Sequence, residues 1–192
     1  LHAWKVGYEE NPNDLQACIR YVLNLFGGGT AGVQDCDVGS IRVSRNGNSI
    51  VISGLMTFLF GSYPVGGTTS ANHLSSAYLN AINRLWSGPF GGYSVITRMS
   101  IGSGGMTAYI GSGLQTGYPG RPLWLPLPPA SGPGSPDYAA FERIVAHEFG
   151  HALGLSVTDS YSHVDGGIMA ANAPDAPRLE SHITKILDQC QS

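Results

Sequence analysis

Charge is scarce in this chain. Only 12% of its 192 residues are Asp, Glu, Lys or Arg, and the formal net charge is −3. Lysine occurs twice, at Lys5 and Lys185. A surface that grips nucleic acid neutralises phosphates with clustered Lys and Arg, so no nucleic-acid partner is expected. Long apolar runs are missing too. The most apolar stretch, Leu55 to Phe60, falls far short of the roughly 20 residues of a membrane-spanning helix. Cysteine is sparse, with Cys18, Cys36 and Cys190, and the odd count leaves the pairing open. Cys18 and Cys36 can close a short loop around a Gly-rich turn, Cys190 can join either of them, or all three can stay thiols. The clusters Gly27-Gly28-Gly29 and Gly102-Ser103-Gly104-Gly105 lack the lysine of a phosphate loop and the Rossmann spacing, and no Gly-X-Ser-X-Gly elbow occurs.

Glycine and proline are plentiful, at 27 and 12 residues. Both are costly inside helices, which excludes a long helical bundle. A hydrophobic fraction of 42% with low net charge excludes disorder. The length suits one domain with a sizeable core. Uncharged polar composition reads as extracellular. The start, Leu1-His2-Ala3-Trp4, lacks a signal peptide's basic and apolar regions and reads as the processed form of a longer precursor, so a secreted monomer is expected.

Apolar periodicity predicts a helix whose face is Leu15, Cys18, Ile19, Val22, Leu23 and Phe26, after a first strand over Ala3 to Tyr8. Ile41 to Arg45 and Ser49 to Leu59 flank Asn46-Gly47, a hairpin signal because tight hairpin turns need positive φ. A second helix is expected from Ser70 to Trp86, stopped by Gly88-Pro89. Strands follow over Tyr93 to Ile101 and Met106 to Ile110. The proline-rich stretch from Tyr118 to Pro136 cannot be a helix or a central strand; it reads as a connection crossing the molecule or a rim loop. A last helix is expected near Pro177 to Cys190. Strands followed by helices indicate an α+β fold.

The chemistry concentrates in a predicted helix from Tyr138 to Leu153, which contains His147-Glu148-Phe149-Gly150-His151. Histidines four apart differ by about 40° in direction and ~6 Å in rise, so both imidazoles can meet one metal ion. Glu148 follows the first of them, where its carboxylate can serve as a base without filling the coordination sphere. Gly154 lets the chain leave the helix with positive φ. Downstream, Gly166-Gly167-Ile168-Met169-Ala170 supplies a methionine after a glycine turn.

His147 to Leu155 resembles the zinc helix of the metzincin metalloproteases, and most closely that of the matrixin branch. The match extends to Met169. The resemblance implies one catalytic zinc ion, His147 and His151 as ligands, Glu148 as general base, Gly154 as turn glycine and Met169 as Met-turn methionine. It also implies a mixed twisted sheet with an active-site helix and a C-terminal helix, as two lobes (1–154 and 155–192) around a cleft in one catalytic domain. The strand Met106 to Ile110 would be the cleft's upper edge, and 170–174 would wall a substrate pocket. The helix Ser70 to Trp86 is an addition to the family's minimal pattern.

The family's third ligand falls at Val157, which cannot bind metal. A six-residue insertion, similar to the longer one of the leishmanolysin branch, makes His163 the expected third ligand. Asp159 competes, by similarity to the snapalysin branch; Asp165 is weaker and suits orienting a ligand histidine. Glu180 would complete a thermolysin-like set instead. The family's Tyr after the Met-turn falls at Ala171, with Tyr161 as a substitute. His2, His73 and His182 read as surface or satisfied histidines. The expected activity is zinc-dependent endopeptidase action on protein or peptide substrates. The alternatives are a non-catalytic zinc-containing binding module and a zinc amidase acting on non-protein amides. Structural calcium is not legible in a sequence, because such sites are often built from backbone carbonyls.

Overall fold

The computed structural model describes residues 34–61, 71–111, 120–155, 167–169 and 178–190. Contacts divide the chain into two units, Leu1–Val33 and Gln34–Ser192, and every described residue lies in the second. The lobe boundary expected at 154/155 falls inside that unit. The first predicted strand and helix, with Cys18, lie outside the described residues.

Among the described residues, seven strands form one mixed sheet: β1 Gln34–Val38, β2 Ile41–Asn46, β3 Ser49–Phe60, β4 Gly88–Phe90, β5 Tyr93–Ile101, β6 Met106–Ile110 and β7 Leu123–Leu125. The β2–β3 hairpin turns at Asn46-Gly47 as the sequence indicates, with Gly47 at φ +59°. The long strand β3 organises the sheet. It pairs antiparallel with β2, parallel with β5 over Ser49 to Met56, and parallel with β6 over Met56 to Phe60. One face carries Ile50, Ile52 and Met56 of β3 with Val95 and Met99 of β5, all buried.

Three helices are described: α1 Ala71–Leu85, α2 Pro136–Ala152 and α3 Glu180–Gln189. Tyr78, Ala81, Ile82 and Trp86 are wholly buried on the predicted face of α1. Helix α1 packs on β5 and α2, and α2 packs in turn on β7 and on a short 3-10 turn at Gly167–Met169. The chain is α+β with a mixed sheet, as expected.

One expectation needs correction. Strand β6 is not an edge of the sheet along its length, because β7 pairs with it parallel over Ala108 to Ile110. The three residues of β7 lie between Pro122 and Pro126, inside the proline-rich stretch. Proline is tolerated at such flanks because the missing N–H faces away from the ladder. Of the two readings open for His182, a surface or a satisfied histidine, burial excludes the first. This residue is fully buried, with its ring 6.2 Å from that of Trp86.

Among the described cysteines, Cys36 on β1 and Cys190 at the end of α3 form a disulfide, with Cα atoms 5.3 Å apart. Of the open pairings, the one that ties down the C-terminal helix is therefore the one formed. Arg178, just before α3, caps α1: its guanidinium donates to Leu85 O and Arg84 O, each at 2.9 Å. A cation there meets the partial negative charge of a helix C-terminus. Burial, with Arg84 close by, pulls the pKa of Arg178 down from the usual guanidinium range.

Candidate metal centre

Helix α2 starts and stops where its sequence dictates. Ser135 is the N-cap, and its Oγ accepts from Tyr138 N at 3.1 Å. Pro136 takes the first helical position, where a missing N–H costs nothing. Asp137 sits in the first turn, near the positive end of the dipole.

The far end is a Schellman turn. Gly154 N donates to His151 O at 2.9 Å, and Leu155 N donates to Gly150 O at 3.0 Å. Those are the two bonds that the motif requires. Gly154 has φ +82°, the left-handed conformation predicted for the turn glycine.

This turn matters for the candidate site because of where it leaves the Leu155 carbonyl, which lies 2.8 Å from His151 Nδ1. A carbonyl can only accept, so Nδ1 carries the hydrogen. In the neutral ring the lone pair is then on Nε2, the tautomer needed for Nε2 ligation. That Nε2 faces His147 Nε2 at 3.0 Å, with the two rings nearly perpendicular at 89°.

The residues fit a metal ion. Two imidazole nitrogens at about 2.0–2.1 Å from one tetrahedral ion sit about 3.3 Å apart, close to the 3.0 Å found. One ligand atom each from His147, Glu148 and His151 lies within 4.8 Å of the others. Nitrogen and carboxylate donors suit zinc and its neighbours in the first transition row. His151 and Glu148 are buried, at 1% and 8% exposed, while His147 is half-buried. This His-Glu-His group could hold a metal ion.

The helix behind these residues is tightly backed. Met169 is wholly buried and packs on Gly150. A Cβ at Gly150 would collide with Met169 Sδ and come within 2.9 Å of Trp86 Cζ2. The unspecified position before the second histidine therefore admits only glycine without repacking. Trp86 donates from Nε1 to Ala146 O at 2.8 Å, and its ring meets Phe149 edge-on and stacks on Phe90.

Of the predicted site residues, His147, Glu148, His151, Gly154 and Met169 come together on and against α2. His163, Asp159 and Asp165, the candidates for a third ligand, lie outside the described residues, as do Val157, Tyr161 and 170–174. Glu180 does not join the histidines: its carboxylate accepts from Gly92 N at 2.9 Å, at the β4–β5 turn. His73 is exposed on α1.

Sequence reasoning missed the Leu155 carbonyl, for which no side-chain identity gives a signal. It also missed Gln189 on α3, whose side-chain amide lies against Gly154 and donates to Leu153 O at 3.0 Å. No family model matches the chain, and neither a curated protein nor a solved structure matches it.

Proposed function

We propose that the chain is a zinc-dependent endopeptidase, with His147 and His151 as ligands, Glu148 as general base and His163 as third ligand. The supporting observation is the pair of Nε2 atoms turned toward each other, one with its tautomer set by Leu155 O, beside the buried carboxylate of Glu148. When bound, zinc supplies a Lewis acid that polarises a scissile carbonyl and lowers the pKa of water toward neutrality. Glu148 takes the proton of the attacking water and hands it to the leaving amine. An extended substrate would run along β7, which pairs only with β6 among the described residues, through backbone hydrogen bonds to its outer edge.

A disulfide supports an oxidising compartment, and no described helix is long and apolar enough to cross a membrane; secretion belongs to the same proposal. The test is cleavage of a denatured protein such as casein, with and without a chelator. Activity lost with the chelator and in Glu148→Ala supports the reading. A fully metallated protein inert on many peptides would sink it in favour of a non-catalytic zinc-containing module, the reading that Val157 favours. Cleavage of small non-protein amides alone would indicate an amidase.

A further inference from the structure

We propose that Gln189 is a positioning residue for His151, and that α3 thereby sets how tightly the site holds a divalent cation. The inference rests on the metal-site reading above. Gln189 Nε2 donates to the carbonyl of Leu153, the C-cap of α2. That carbonyl is one of the helix-end acceptors that no amide of the helix can satisfy. The same side-chain amide lies over Gly154 so closely that a Cβ there would overlap it. Leu153 and Gly154 are the two residues that turn the chain, and the next carbonyl, Leu155 O, holds Nδ1 of His151 at 2.8 Å. One amide thus clamps both residues that aim that carbonyl.

Gln189 is itself anchored. Its Nε2 also lies 3.3 Å from Lys185 O, and Ile183, Ile186 and Leu187 are buried in the core. The adjacent Cys190 is bound to Cys36 on β1. A continuous path therefore runs from the sheet through the disulfide and Gln189 to the Nε2 lone pair of His151. An imidazole whose tautomer is not held spends part of its time with the proton on Nε2, and loses affinity for the ion accordingly.

The experiment uses the full, oxidised chain. Zinc affinity is measured by competition with a chromophoric chelator, and the ring protonation of His151 in the metal-free protein is read from long-range nitrogen–proton NMR correlations. Gln189→Ala is expected to weaken zinc binding by about 10-fold or more, the usual scale for partners that orient a ligand. It is also expected to shift the His151 signature from Nδ1–H toward a mixture. Gln189→Glu keeps length and packing but turns an acceptor toward Leu153 O, so it should behave alike; it also serves if the alanine variant does not fold.

Wild-type affinity together with an unchanged ring signature in both variants would overturn the proposal. So would weakened binding with an unchanged signature, which marks a merely structural role. A wild-type protein that takes up no zinc refutes the metal reading, and the ring signature then decides by itself whether Gln189 positions His151.

Discussion

Replacing Gly154 by alanine should injure both the fold and the candidate metal site. The backbone there is at φ +82°, where an L side chain costs roughly 1–2 kcal/mol. The new Cβ would also occupy the space of the Gln189 amide. Displacing that amide breaks its bond to Leu153 O, worth about 1 kcal/mol net. The two effects together come to about 2–3 kcal/mol. For a domain of this size that is a fall in Tm of roughly 4–12 °C. Gly47→Ala is the internal control. Gly47 has nearly the same conformation, at φ +59°, but nothing lies within 4 Å of an added Cβ. It should show only the backbone part, about 1–2 kcal/mol. Urea unfolding of both variants isolates the contact with Gln189 as their difference, and zinc affinity, read by chelator competition, should fall only in Gly154→Ala. Equal stabilities for the two variants, with unchanged zinc binding in both, would refute the reasoning.

Three further outcomes follow from the same geometry. Ser135→Ala removes the acceptor for Tyr138 N and should lower stability in urea by about 1 kcal/mol, with zinc binding unchanged because the site lies at the other end of α2. Reducing the Cys36–Cys190 bond frees a sequence separation of 154 residues and should cost about 2–5 kcal/mol, read as a lower Tm in the Cys36→Ser, Cys190→Ser double variant. Burial raises the pKa of the Tyr78 phenol, which donates to Pro126 O at 2.7 Å. A raised folded pKa means that this contribution is intact below the unfolded value of about 10 and lost above it, by up to about 1.4 kcal/mol per pH unit; Tyr78→Phe should flatten that alkaline limb in pH-dependent unfolding.

Much of α2 is legible in the sequence because local physics decides it. The Ser135-Pro136-Asp137 start, the i, i+4 histidines and the Gly154 exit are all encoded within a few residues of where they act. The same holds for the Asn46-Gly47 hairpin and for the bounds of β5 and β6, which coincide with their apolar runs. What escapes is set by distant partners. Strands β1, β4 and β7 are short or charged, and they exist because a neighbour offers a ladder, not because their residues prefer extension. The burial of His182 depends on Trp86, nearly a hundred positions earlier in the chain. The glycine requirement at Gly150 comes from Met169 and Trp86, and nothing in the motif itself announces it. The pairing of Cys36 with Cys190 needs α3 to return to β1, which periodicity cannot supply.

The central claim is that Glu148 works as a base beside a metal held by His147 and His151. The most direct test measures casein hydrolysis and bound zinc on the same preparations of wild-type protein and Glu148→Ala. The expected result is one zinc per chain in both, with hydrolysis lowered by at least about 100-fold in the variant, the scale of general base catalysis. Equal hydrolysis by the two proteins, or none by a fully zinc-loaded wild type, would contradict it.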